Sequence, residues 1–135
     1  MPNCGTGVIA ADTNVIVRLL TGDEPRQTDQ ARRLFEANTI FLAKTVLLEA
    51  EWVLRRLYRL GRPAINNALN GLLSLPNVRA EDEPLLRQAL AWNRDGMDFA
   101  DALHLSSSRT AERFATFDLR MIKSASGTGL TVSEP

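Results

Sequence analysis

The chain has one cysteine and one histidine in 135 residues. A single cysteine, Cys4, excludes an internal disulfide, which suits a reducing compartment. The same scarcity argues against a zinc site, which draws on cysteine and histidine ligands. No charge sign is in excess: Lys+Arg and Asp+Glu number 16 each, for a formal net charge of zero. Bulk attraction to nucleic acid is therefore absent, and any such affinity must come from local patches. No apolar run approaches the ~20 residues needed to span a bilayer. Met1 to Gly7 lacks the basic start and apolar run of a signal peptide. These absences point to a cytoplasmic protein without membrane contact. Hydrophobic residues at 44% and charged residues at 24% are ordinary for a soluble globular chain. The length suits one domain with a single core over residues 1–135, and residues 1–6 are expected to be a flexible N-terminus, to which no role is assigned.

Strand-like and helix-like segments alternate along the chain. Val8 to Ala11 is a short apolar run that predicts a buried strand, with Asp12 directly after it. Val15 to Leu20 predicts a helix stopped by Gly22. Pro25 suits a first helical position, and Ala31, Leu34 and Phe35 give that helix its apolar side. Thr39 to Leu42 predicts a second strand. Thr45 can then cap a long helix running to Gly61. Pro63 starts another helix, with Ile65, Leu69, Leu72 and Leu73 at helical spacing. Asn77 to Ala80 predicts a short strand, and Leu85, Leu86, Ala89 and Leu90 mark a fifth helix. Gly96 breaks it, and Asp98 opens a sixth helix to about Arg109. Arg113 to Phe117 predicts a further strand, followed by a short helix around Met121 and a last strand near Leu130 to Val132. Strand runs that are apolar without polar alternation predict an α/β fold of three layers, α/β/α, with a central, mainly parallel sheet. Ligands of such sheets bind beyond the carboxyl ends of the strands.

Acids recur at that edge. Asp12 and Asp118 each follow a strand-like run. Asp98 and Asp101 stand three residues apart at a helix start and share a face. Glu49 falls in the first turns of the helix after the second strand. This topology can gather five carboxylates, whose mutual repulsion calls for a cation. An all-oxygen set favours magnesium or manganese, and two such ions can activate a water and stabilise the leaving oxygen of a phosphodiester. Each acid also has a plain structural role open to it. Asp12 can be a helix N-cap, and Asp98 with Asp101 fits a capped helix start. Glu51 competes with Glu49. On a helical wheel Glu49 lies about 20° from Leu60 and Glu51 about 20° from Tyr58, so both flank the apolar stripe. Pairing of Glu51 with Arg55 four residues on tilts the choice toward Glu49. His104 fits an edge or core position better than a ligand.

Four blocks then resemble the PIN-domain toxins of the VapC type: Asp12-Thr13-Asn14-Val15; Leu47-Leu48-Glu49 with Trp52-Val53-Leu54-Arg55; Asp98-Phe99-Ala100-Asp101-Ala102-Leu103-His104; and Thr116-Phe117-Asp118. Their order and spacing match from Val8 to the last strand. The resemblance implies a magnesium- or manganese-dependent endoribonuclease and a type II toxin–antitoxin pair, with RNA as substrate and a cognate antitoxin as inhibitor. It assigns the main acids to Asp12, Glu49, Asp101 and Asp118, an additional metal acid to Asp98, and supporting polar positions to Asn14 and Thr116.

Arg55, Arg56, Arg59 and Arg62 recur along one predicted helix side, as a solvated face, a phosphate track or an antitoxin contact. Lys44, Arg120 and Lys123 are further candidates for phosphate contacts. Apolar residues between Trp52 and Leu75 could line a groove for a homodimer or an antitoxin. A phosphohydrolase with Asp12 as nucleophile would need a second acid where Asn14 stands. A receiver-like signalling module would need an adjacent acid pair near the first strand and a late Lys-Pro, and neither is present. A non-catalytic PIN-like binding module remains the alternative, although its acid set is intact.

Overall fold

Val8–Ala10 (β1), Thr39–Leu42 (β2) and Val78–Ala80 (β3) form one parallel sheet in the order β1-β2-β3. The computed structural model describes residues 7–135, so the expected flexible segment over 1–6 lies outside the described residues. The chain divides into two compact units, one up to Glu83 and the other from Pro84. In the first unit the register runs Ile9 to Ile40 to Val78. The central strand β2 buries Ile40 and Leu42 completely. Strand β1 is an edge of this sheet and leaves Val8 and Ile9 exposed, where the apolar run predicts burial.

The helices of this unit are Thr13–Thr21 (α1), Pro25–Ala37 (α2), Lys44–Arg56 (α3) and Arg62–Leu73 (α4). Their apolar sides bury Ile16 and Val17, Ala31 and Phe35, Leu47, Ala50 and Leu54, and Ile65, Leu69, Leu72 and Leu73. Helix α1 ends where Gly22 takes a φ of 66°, a left-handed conformation that favours glycine.

Helix α3 departs from the sequence expectation at both ends. Thr45 does not cap it. The N-cap residue is Ala43, and the cap bond comes from Glu81, whose Oε1 accepts from the Lys44 N–H at 2.9 Å. The helix stops at Arg56, five residues before Gly61, through a turn in which Arg59 has a φ of 55°. Gly61 instead is the N-cap position of α4, with Pro63 in its first turn. Arg55 and Arg56 therefore stand on one helix, Arg59 in the turn and Arg62 on the next, and they form no single helix side.

The second unit holds Glu83–Arg94 (α5, whose first residue belongs to the other unit), Phe99–Ser107 (α6), Phe114–Ala115 (β4), Leu119–Ser124 (α7) and Val132–Ser133 (β5). β4 and β5 are parallel, with Phe114 opposite Val132. Helices α5 and α6 bury Leu86, Ala89 and Leu90 and Phe99, Ala102 and Leu105, and the Ser106 hydroxyl donates to the Leu85 carbonyl at 2.8 Å. The turn joining them is fastened by the Asn93 amide, which donates to the Met97 carbonyl at 2.9 Å. The architecture is an α/β fold with a parallel sheet flanked by helices, as its alternation predicts. Among the described residues no helix is long and apolar enough to cross a membrane.

Candidate functional site

Pairing of β1 with β2 continues through the Ala11 N–H to the Phe41 carbonyl, so Asp12 emerges at the carboxyl end of the strand. There it caps α1, and its Oδ1 accepts from the Thr13 N–H at 2.7 Å. The neighbouring Thr13 is buried and donates its hydroxyl to Glu49 Oε1 at 2.6 Å. One threonine thus orients two acids, Asp12 through its backbone and Glu49 through its side chain. Asp12, Glu49 and Asn14 line one cavity of about 340 Å³.

Glu51 does not line that cavity. It is 5% exposed, and its carboxylate accepts from Arg55 Nε at 2.8 Å and from Nη2 at 3.4 Å. Arg55 is the expected partner, and Glu51 is buried because this part of α3 is covered. Lys44 is also committed, with its Nζ 3.1 Å from Asp82 Oδ2.

In the second unit Asp98 caps α6, and its Oδ2 accepts from the Asp101 N–H at 3.2 Å. Asp118 caps α7, with Oδ1 accepting from the Arg120 N–H at 2.9 Å and the Met121 N–H at 3.2 Å. Thr116 Oγ1 accepts the Asp118 N–H at 3.0 Å and so fixes the turn that presents this acid. Burial, followed by the charges of Asp98 and Asp118, pushes the Asp101 carboxyl above its ordinary value, and His104 partly opposes this. His104 itself is exposed. Among the described residues, capping engages one carboxylate oxygen of each of Asp12, Asp98 and Asp118 and leaves the other without a protein donor.

The donor chemistry fits a hard divalent ion. Asp12, Glu49, Asp98, Asp101 and Asp118 supply only oxygens, and Asp101 carries repulsion that a cation would relieve. Among the described residues no group of three or more His, Cys, Asp or Glu converges closely enough to hold a metal ion. In the first unit Asp12 and Glu49 share one cavity, and in the second Asp101 feels the charges of Asp98 and Asp118. Thr13 is the polar residue that sequence reasoning passed over. It stands inside the Asp12-Thr13-Asn14 block, between two positions to which the resemblance assigns roles.

A family model described as PIN domain matches residues 9–126, from before Asp12 to beyond Asp118 and across both units. No curated protein matches the chain significantly. Among solved structures, the chain is similar to the VapC20 toxin of Mycobacterium tuberculosis, described as cleaving the sarcin–ricin loop. Identity is 24% over 93% of this chain and 97% of that one, with a TM-score of 0.43.

Proposed function

Because the chain belongs to the PIN-domain family, we propose that it is an endoribonuclease dependent on magnesium, or on manganese in its place, and the toxin of a type II toxin–antitoxin pair acting in the cytoplasm. The two units work as one PIN domain. Asp12, Glu49, Asp101 and Asp118 are the catalytic and metal-holding acids, Asp98 is an additional metal acid, and Asn14 and Thr116 support them. One observation carries this reading. Among the described residues, each of the five acids keeps at least one carboxylate oxygen with no protein donor.

A bound divalent ion would supply charge neutralisation at the phosphate and activation of the water that attacks phosphorus. The chain's own part is to place the oxygens. Thr13 sets Asp12 and Glu49, the first turn of α7 sets Asp118, and Thr116 holds the turn before it. Water adds at phosphorus while one P–O bond of the RNA backbone breaks. A cognate antitoxin would silence the toxin by covering the acids, with an Arg or Lys set among them. Trp52, Leu60 and Leu75 are exposed apolar side chains suited to the antitoxin or to a second copy of the chain in a homodimer.

The test is cleavage of RNA by the purified chain. Cleavage should require magnesium or manganese, stop in chelator and not return with calcium. Asp12→Asn, Glu49→Gln, Asp101→Asn and Asp118→Asn should each lower the rate by at least ~100-fold. Full-rate cleavage in chelator that Asp12→Asn abolishes would remove the metal from this reading. RNA binding without cleavage under any metal would leave the non-catalytic PIN-like binding module.

A further inference from the structure

We propose that the cavity beside Asp12 and Glu49 is a subsite for one unpaired nucleobase of the RNA, with Tyr58 as its stacking platform. The inference rests on the nuclease reading and adds to it how the strand is gripped. Away from the two acids, the cavity is lined by Val17, Val53, Leu57 and Tyr58, with Thr13, Asn14 and Arg18 as further polar members. Its volume, about 340 Å³, falls at the lower end of small-ligand sites, ~300–1,000 Å³.

Three features select a nucleotide as the occupant. The first is a held aromatic side chain. The Tyr58 hydroxyl donates to Asp23 Oδ2 at 2.6 Å and accepts from Arg18 Nη1 at 2.9 Å, so the ring is ordered before any ligand arrives. Hydrogen bonds from Tyr58 and Thr21, with the Arg18 charge, keep Asp23 below its ordinary value and hence ionised as an acceptor. The second is unspent polar capacity. Arg18 gives Nε to Gln27 and Nη1 to Tyr58 and Asp23, and among the described residues its Nη2 has no acceptor. The Asn14 amide has no protein partner there either. A guanidinium edge suits a phosphate, and a free amide suits the edge of a base. The third is exposed apolar surface in the same place. Leu57 is 67% exposed, a cost in water that a stacked base would remove. Sequence-tolerant stacking on aromatic rings is how single strands are held.

The experiment uses the full chain with Asp118→Asn to silence cleavage, in magnesium. The probe is a labelled single-stranded oligoribonucleotide, intact or with one abasic nucleotide placed at each position in turn. One abasic position should weaken binding about tenfold. Tyr58→Leu should erase that difference, Tyr58→Phe should keep it, and Leu57→Ser should shrink it. The Phe variant retains the ring without the hydroxyl, and Leu57→Ser changes an exposed side chain, so the proposal stays testable should Tyr58→Leu fail to fold. Equal affinity for every abasic probe would overturn the subsite, as would an abasic penalty that survives both Tyr58→Leu and Leu57→Ser. Loss of antitoxin binding in these variants with RNA binding intact would show that the cavity takes a protein side chain, and would also overturn it. Should the parent chain cleave no RNA yet show the Tyr58-dependent penalty, the nuclease reading falls and the subsite stands. Should it cleave RNA with no penalty anywhere, the subsite falls alone.

Discussion

Thr13 shows what one side chain contributes to a carboxylate site. A glutamate carries three rotatable bonds and much rotamer entropy, so an exposed Glu49 would sample many positions. The Thr13 hydroxyl, itself held in a buried residue, selects one of them through the 2.6 Å bond. Thr13→Val removes the hydroxyl at nearly constant volume and keeps the backbone N–H that Asp12 accepts. Cleavage should fall by about 10–100-fold, as when a supporting bond to a metal-site ligand is lost. The thermal midpoint should move little, because the net value of one such bond is about 1 kcal/mol. Thr13→Ser should recover most of the activity while Thr13→Val does not. A Val variant that cleaves at the parent rate would show that Glu49 is oriented by something else.

At the scale of the element, α3 carries two glutamates with opposite fates. Glu49 is exposed and lines the cavity, while Glu51 is buried against Arg55. Removing Arg55 leaves a buried carboxylate without its partner, which costs more than the pair itself contributes. Arg55→Leu should therefore destabilise the chain by roughly 1–3 kcal/mol. Adding Glu51→Gln should recover part of that loss, and thermal midpoints of both single variants and the double variant would measure the coupling. No recovery in the double variant would show that Arg55 acts through its other contacts. The helical wheel could not separate these glutamates, because both flank the apolar stripe and burial depends on what covers the stripe. Other parts of the fold were legible from local signals. Gly22 marked the end of α1, Pro25 the start of α2, and Asp98 the cap of α6, and each acts within one turn. The cap of α3 was not legible, since Glu81 reaches Lys44 across 37 residues of sequence. The end of α3 was hidden too, because its left-handed residue is Arg59 rather than a glycine. The acids Asp12, Asp98 and Asp118 were legible as residues that follow strands or open helices. Thr13 was not, because a hydroxyl between two better-known positions carries no periodic signal.

At the scale of the whole molecule, zero net charge conceals local imbalance, and the pH dependence of stability reads that imbalance out. Asp101 has its proton affinity raised in the folded chain by burial and by Asp98 and Asp118. Between the ordinary aspartate value, about 3.9, and its raised value, the folded state binds more protons than the unfolded state. Stability without metal should therefore fall as pH rises through that window. Asp23 has the opposite sign. Its lowered value contributes stability that is lost only as pH falls below the ordinary value, through its folded pKa. The two windows do not overlap, so a difference measurement separates them. In chelator, Asp101→Asn should melt above the parent at neutral pH, and the gap should close as pH falls toward about 4. Asp101 is partly open to solvent, so screening holds the gap to at most ~1 kcal/mol, a shift of about 2–4 °C. Magnesium should raise the parent's midpoint at neutral pH and leave Asp101→Asn nearly unmoved, because a ligand stabilises only the state it binds. A gap that stays constant from neutral to acid pH would show that the substitution acts through packing instead of charge. Equal stabilisation of both proteins by magnesium would separate Asp101 from the metal.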